Sequence, residues 1–228
     1  MDDPVSSSRP FKRFLRAFFG PLTFAQWRDG SFDIRSLSHL SVQEKHLAED
    51  VLLQHLERGS SDLRIVAGLR ALRSQRAIPG LTQRVQASRG EREVIEPALA
   101  LWQLAHSPEA VSALIEALVG LPDFLGRVDA AVSLRYCRCQ PAAQALQQAL
   151  WDDAPLVRYH ATNSLLILYA PWREHRESHP LASRIMSDDP QQQETARARI
   201  LALIKKRPLP WGEEESESDE DHAADPSR

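Results

Sequence analysis

The sequence predicts an all-α fold, an α-solenoid in which about four helix hairpins stack between N- and C-terminal capping helices. Leucines recur at steps of 32, 30 and 31 residues, at Leu72, Leu104, Leu134 and Leu165. A small residue lies four positions before each leucine, at Gly68, Ala100, Ala130 and Ala161. A period of about 30 to 45 residues with helical spacing inside each unit is typical of stacked helix hairpins.

A second series of apolar residues runs in phase with the first. It comprises Leu81, Leu114 and Leu146, followed one turn later by Val85, Leu118 and Leu150. We assign this series to the buried side of the second helix of each hairpin. In the first helices, the small residue lets neighbouring backbones approach, and the leucine one turn later fills the groove.

The N-terminal part divides into a polar segment and an amphipathic segment. Residues 1–9 are polar and predict a disordered N-terminus. Residues 10–40 predict a capping segment, because one helical face of residues 10–19 carries Phe11, Phe14, Leu15, Phe18 and Phe19 beside several cations. Such a face fits a cap over the end of the stack, which we favour, or an anchor on a membrane surface.

Helix signals then continue to residue 207, so residues 41–207 form the predicted solenoid. Ser41 and Glu44 have the spacing of a capping box, which begins the first helix. The hairpins are predicted at 62–74 with 77–88, 91–105 with 109–119, and 123–138 with 141–150. The fourth begins at Pro155, contains an insertion at 170–180 and a short helix near 181–186, and is followed by a closing helix at 190–206.

The charge of the chain is divided unevenly. Residues 213–228 carry eight acidic residues and one basic residue, and since the whole chain has a net charge of −3, the remainder sums to +4. Residues 208–228 therefore predict an acidic disordered tail. We expect it to act as a solubilising end, with competition for a basic partner as the alternative.

Two of the units resemble a known repeat. They read Arg127-Val-Asp-Ala130-Ala-Val-Ser-Leu134 and Arg158-Tyr-His-Ala161-Thr-Asn-Ser-Leu165, the second preceded by Asp152-Asp153-Ala-Pro155-Leu-Val157. This pattern resembles the HEAT repeat, including the bacterial HEAT-like repeats of the PBS-lyase type, over roughly residues 41–206. The second unit departs from it, because Pro97 occupies the arginine position. The resemblance implies a solenoid, and a binding scaffold as its usual role.

The residues give little support for catalysis, and we expect no enzyme, cofactor or metal site. The His-Glu dipeptides of the iron-binding deoxyhypusine hydroxylase-like members are absent. His175 and His179 lie between prolines and indicate a solvated loop. Cys137 and Cys139 lack the second pair of a zinc site. Asp152 and Asp153 lie where HEAT repeats place acids at a helix N-terminus.

The repeat period selects the residues that would face the groove of the solenoid. On the second helices, the side opposite the buried leucines carries Arg76, Gln83, Glu109, Ser112, Glu116, Gln144 and Gln148, together with Pro79 and Pro141. We call these seven polar residues the polar stripe. Nucleic-acid grooves need clustered Lys and Arg, and the stripe is nearly neutral. It therefore favours a protein partner and makes nucleic acid an unlikely ligand.

The predicted function is a non-enzymatic scaffold or adaptor for protein–protein interaction, of which an immunity-type protein would be one form. A nucleic-acid-binding or alkylpurine-glycosylase-like HEAT protein is the first alternative, and a bilin-lyase-like chromophore-attaching protein is the second. No apolar run reaches the roughly 20 residues of a membrane span. The excess of arginine over lysine indicates a GC-rich, bacterial genome. A secretory signal is lacking at the N-terminus, so we expect a cytoplasmic protein whose oligomeric state is open.

Overall fold

The structure is a computed structural model that describes residues 8–24, 32–60, 62–169 and 180–205. Within these residues the regular structure is helical and contains no strand, so the all-α prediction is confirmed. None of the helices in the described ranges is both long and apolar enough to cross a membrane. The predicted disordered segment at 1–9 (apart from residues 8 and 9), most of the insertion at 170–180 and the acidic tail lie outside the described residues.

The chain divides into two compact units, Met1–Ser133 and Leu134–Arg228. The α-helices described in the first unit are α1 (Arg9–Phe19), α2 (Val42–Glu57), α3 (Leu63–Ala71), α4 (Ile78–Ala87), α5 (Ile95–Ala105), α6 (Pro108–Gly120) and α7 (Phe124–Leu134), which ends at the boundary. Short 3-10 segments cover Ile34–His39, Gln75–Ala77 and Arg92–Val94. The second unit has α8 (Gln140–Gln148), a 3-10 turn at Ala149–Trp151, α9 (Pro155–Tyr169), α10 (Pro180–Arg184) and α11 (Pro190–Lys205).

Packing between helices builds the first unit. Helix α2 packs on α3, α4 on α5 and α5 on α6, and α3 and α5, the predicted first helices of two consecutive hairpins, also pack on each other. The close approach of α1 and α2 to α3 depends on Gly68, because a Cβ there would lie 2.5 Å from the ring of Phe18 and 2.8 Å from the side chain of Leu52. The small residue of this repeat therefore makes room for α1 and α2.

Burial follows the second apolar series closely. Leu81, Leu114 and Leu146 are completely buried, and the residues one turn later, Val85, Leu118 and Leu150, are at most 2% exposed. In the first series Leu134 and Leu165 are buried, whereas Leu72 and Leu104 are only half-buried. The repeat period thus predicts the buried residues of the second helices better than the buried residues of the first helices.

The capping box that begins α2 is present, as the sequence predicts. The backbone N–H of Ser41 donates to Glu44 Oε2 at 2.7 Å, and the N–H of Glu44 donates to Ser41 Oγ at 3.3 Å. These two bonds satisfy donors that the first turn of a helix leaves without intrahelical partners.

Helix α1 lies on the first unit with its aromatic face inward. Phe14 and Phe18 are completely buried, Phe11 is 4% exposed, and the three rings form a tilted stack with centroids 5.4 and 4.9 Å apart. Phe18 also meets Phe32 edge to face at 5.2 Å. The aromatic face is therefore occupied within the protein.

In the second unit a buried arginine holds the start of α9 in place. Arg158 Nη1 donates to the backbone carbonyls of Asp152 and Asp153 at 2.8 and 2.9 Å, and its Nε donates to the carbonyl of Ile185 at 3.0 Å. Burial lowers the pKa of this guanidinium, and the nearby charge of Arg197 lowers it further. The side chain ties the turn before α9 to the end of α10.

Two other helices begin with a similar contact, in which a side chain of the first turn bonds a backbone carbonyl five or six residues before it. Arg127 Nη1 in α7 donates to the carbonyls of Leu121 and Pro122, at 2.9 and 3.3 Å, which are six and five residues before it. Gln193 Nε2 in α11 donates to the carbonyl of Ser187, six residues before it, at 2.6 Å. At all three helix starts, the fourth residue of the helix therefore bonds the carbonyl six residues before it.

The third hairpin differs from its prediction at one boundary. We expected its first helix at 123–138, and α7 ends at Leu134. The N–H of Cys137 donates to the carbonyl of Leu134 at 3.0 Å, and the N–H of Cys139 donates to that of Cys137 at 2.7 Å. Tight turns have replaced the helical ladder here, and residues 135–139 form the connection to α8.

Candidate functional site

All seven members of the polar stripe are exposed. Arg76 lies in the 3-10 turn before α4 and Gln83 on α4 itself, while Glu109, Ser112 and Glu116 lie on α6. Gln144 and Gln148 lie on α8, in the second unit. The surface exposure that a binding residue needs is therefore present at every position.

The structure brings three stripe residues together on one element. Glu109, Ser112 and Glu116 follow one another at helical spacings of three and four, so they share the outer face of α6. Val119, three residues further on, continues this face and is 68% exposed. We call Glu109, Ser112 and Glu116 the α6 outer face.

Arg76 is directed toward another helix. Its Nη1 lies 2.6 Å from Asp50 Oδ1 and 3.5 Å from Glu49 Oε2, both on α2. The hydrogen bond to Asp50 raises the pKa of Arg76. The one cation of the stripe is thus compensated by two acids that the repeat period does not include.

Both acids of the α6 outer face contact neighbouring side chains. Glu116 Oε1 lies 3.4 Å from Arg89 Nη1, in an exposed ion pair. Glu109 Oε2 accepts a hydrogen bond from Ser107 Oγ at 2.6 Å, which lowers the pKa of Glu109. The face therefore presents hydrogen-bonding groups, with the carboxylate of Glu116 paired to a cation.

Sequence reasoning missed an exposed apolar turn beside this face. Phe124 and Leu125, at the start of α7, are 41% and 45% exposed, and Val119 precedes them at the end of α6. We call Val119, Phe124 and Leu125 the apolar turn. Large exposed apolar side chains that lie close together are typical of interaction surfaces.

The repeat pattern of the sequence contains a signal for Leu125. Leu125 lies nine residues before Leu134, and Leu63 and Leu156 have the same relation to Leu72 and Leu165. All three are exposed, at 52% for Leu63, 45% for Leu125 and 40% for Leu156. The second repeat has Ile95 at this position, and it is buried.

The cysteines do not have the environment of a nucleophile. Both are free thiols, and Cys137 is completely buried. Burial raises the pKa of Cys137 and of Cys139, which keeps both thiols protonated at neutral pH. A reactive cysteine needs the opposite shift.

The remaining candidates for chemistry take local structural roles or fall outside the described residues. Asp152 Oδ1 accepts the N–H of Ala154 at 2.8 Å, which closes the turn just before α9. His160 meets the ring of Tyr159 edge to face at 5.2 Å. In the described ranges no group of His, Cys, Asp or Glu residues could hold a metal ion, and His175 and His179 lie outside those ranges.

The second unit contains a surface depression of about 410 Å³ at the start of α11, lined by Arg184, Asp189, Gln191, Gln192 and Thr195. Asp189 Oδ1 accepts the N–H of Gln191 at 2.9 Å, and its Oδ2 accepts from Gln192 Nε2 at 3.0 Å. The carboxylate at this place is therefore used to cap α11.

The chain matches no protein-family model, and neither a curated protein nor a solved structure matches it.

Proposed function

We propose that the chain is a non-enzymatic, cytoplasmic scaffold or adaptor in which a stack of HEAT-like helix hairpins binds a partner protein. The repeated architecture is supported by the packing of α3 on α5 and by the common offset with which Arg127, Arg158 and Gln193 bind the preceding turn. The free thiols agree with a reducing compartment.

The proposal depends chiefly on one observation, that the polar α6 outer face is followed directly by the exposed apolar turn. Glu109 and Glu116 offer exposed carboxylate acceptors, of which Glu116 is paired with Arg89, and Ser112 offers an exposed hydroxyl. The apolar turn lies at the end of the same helix. Protein interfaces combine an apolar centre with a polar, hydrogen-bonding rim. The apolar turn would supply the centre and the α6 outer face the rim.

The same residues argue against a nucleic-acid partner at this place. A phosphate backbone is neutralised by clustered cations, and two of the three charged stripe residues, Glu109 and Glu116, are acids. The third, Arg76, is engaged by Asp50 and Glu49. The adaptor and immunity-type roles differ only in which protein occupies the surface.

A quantitative affinity capture tests the proposal with a matched pair of substitutions. Ser112→Arg places a long cation on the α6 outer face, and Ala202→Arg places the same side chain at an exposed position of α11. We expect wild type and the Ala202→Arg variant to retain the same protein partner after nuclease treatment, and the Ser112→Arg variant to lose it. Equal retention by all three chains, or a bound fraction that nuclease removes, would overturn the proposal.

The nucleic-acid alternative has its own direct measurement. Fluorescence anisotropy with duplex and single-stranded oligonucleotides at several salt concentrations reports both affinity and the number of phosphates neutralised. We expect no saturable binding at physiological ionic strength. Tight binding with a steep salt dependence would replace the scaffold proposal by the first alternative.

A further inference from the structure

The outer face of α1 is cationic. Arg9, Lys12, Arg13 and Arg16 are all exposed and fall within one third of the helical circumference, opposite the buried aromatic face. Every charged residue of this helix is basic. We call these four residues the cationic face. We propose that the cationic face, together with the exposed Leu22 and Phe24 that follow α1, binds the surface of an anionic lipid membrane.

Among the described residues, three of the four cations are left open to an external anion. In the described part of the chain no carboxylate pairs with Arg9, Lys12 or Arg16, whereas Arg13 Nη2 lies 2.8 Å from Asp33 Oδ2. The chain as a whole carries a net charge of −3. Attraction to an anionic surface is therefore a local property of this helix.

Contacts at both ends of α1 fix the direction of the cationic face. At the start, the hydroxyl of Ser8 donates to Glu44 on α2, and the same oxygen accepts the N–H of Phe11. At the end, Arg64 Nη1 donates to the carbonyls of Ala17 and Gly20 at 3.3 and 2.9 Å. The helix cannot roll to bury its cations without breaking these bonds and exposing its aromatic rings.

Two apolar side chains extend this surface beyond the helix. Phe24 is 74% exposed and Leu22 is 38% exposed. Transfer of such exposed apolar surface from water into another apolar phase is favourable. Leu22 and Phe24 follow Arg16 by six and eight residues, so apolar groups come shortly after the cations in the chain.

This combination favours a lipid surface over other polyanions. A membrane offers a layer of anionic headgroups to the cations and an acyl region to Leu22 and Phe24, as in interfacial helices rich in basic and aromatic residues. A nucleic-acid duplex would satisfy the cations but offers no acyl region to Leu22 and Phe24. The aromatic face of α1 stays buried in the protein. The sequence pattern suggests that this face would enter a membrane, whereas the structure presents the cationic face to it.

The binding is tested by cosedimentation of the full chain with vesicles. One set consists of phosphatidylcholine alone and the other contains phosphatidylcholine and phosphatidylserine, both at low and physiological salt. We expect partitioning onto the phosphatidylserine vesicles that weakens with salt. Because a cation near an anionic surface strengthens partitioning roughly fivefold, Lys12→Gln with Arg16→Gln should weaken it roughly 25-fold.

A second variant and a charge-matched control make the result specific. Phe24→Ala should weaken partitioning roughly tenfold while leaving its salt dependence unchanged. Arg138→Gln with Arg199→Gln removes the same charge from exposed positions in the second unit and should leave partitioning at the wild-type value. Far-UV circular dichroism checks that each variant folds.

Several outcomes would overturn the proposal. They are absence of binding to phosphatidylserine vesicles, equal binding to phosphatidylcholine alone, or equal loss in the control variant. An oligonucleotide that binds through Lys12 and Arg16 while vesicles do not would assign the cationic face to nucleic acid instead. These results are independent of the protein-capture experiment, which concerns the α6 outer face.

Discussion

The hydroxyl of Ser8 donates a hydrogen bond to the carboxylate of Glu44 and so joins the cap of α1 to the capping box of α2. The bond from Ser8 contributes most to lowering the pKa of Glu44, and the bonds from Ser41 add to it. The side chain of Glu44 is 6% exposed. One buried carboxylate thus secures the start of two helices.

This contact predicts a pH-dependent contribution to stability. A carboxyl whose folded pKa lies below its ordinary value of 4.5 contributes stability that is complete above about pH 5.5 and is lost as the pH falls through the folded pKa. We therefore expect Glu44→Gln to lower the free energy of unfolding at pH 7, with a difference from wild type that shrinks below pH 4.5. Urea denaturation across this range measures the effect. A difference that is constant with pH would contradict it.

A matched pair of glycine substitutions tests the approach of α1 and α2 to α3. Gly68→Ala places a Cβ 2.5 Å from Phe18 and 2.8 Å from Leu52, so we expect it to lower the free energy of unfolding by about 1–3 kcal/mol. At Gly120, in α6, an added Cβ meets nothing within 4 Å. Gly120→Ala should raise stability by about 0.5–1 kcal/mol because alanine loses less backbone entropy. The same sign for both variants in urea denaturation would refute the packing argument.

Arg158 should contribute strongly to the stability of the second unit. Arg158→Met removes three hydrogen bonds to backbone carbonyls, and we expect it to lower the free energy of unfolding by about 2–4 kcal/mol. Arg199→Met, at an exposed position, is the control and should change it by less than about 0.5 kcal/mol. Chemical denaturation followed by circular dichroism compares the two, and an equal effect would show that the carbonyl contacts are dispensable.

The left-handed residue after α3 predicts a gain in stability. Arg73 has φ of 54°, a region that side chains with a Cβ disfavour, so Arg73→Gly should stabilise the chain by about 0.5–1 kcal/mol. Arg58, after α2, has φ of −75°, and Arg58→Gly should give no such gain. Thermal denaturation separates the two variants. A gain at Arg58 as large as that at Arg73 would show that the backbone conformation is not the cause.

Local patterns in the sequence predicted much of this fold. The capping box of Ser41 and Glu44 depends on residues three apart, and the second apolar series reports helices whose buried side keeps the same register in each repeat. Both features depend on short-range spacing. The exposure of the polar stripe follows from the same register, since its members lie opposite the buried leucines.

Features that join different elements were not accessible in this way. The pairing of Arg76 with Asp50 and Glu49 depends on how α2, which precedes the repeats, lies beside the first hairpin. The burial of Phe14 and Phe18 required knowing which surface α1 meets. The apolar turn was missed because Phe124 and Leu125 begin a helix, and the sequence does not show whether apolar residues in a first turn are buried or exposed.

Site-specific photo-crosslinking tests the central claim, that the α6 outer face binds a protein, most directly. A photoreactive amino acid replaces Ser112 in one chain and Ala202 in another, both at exposed helical positions. We predict that the chain labelled at position 112 forms a nuclease-resistant crosslink to one protein, that Glu116→Arg in the same chain abolishes it, and that the label at position 202 gives none. Crosslinks to nucleic acid alone, or the same products from both positions, would contradict the account.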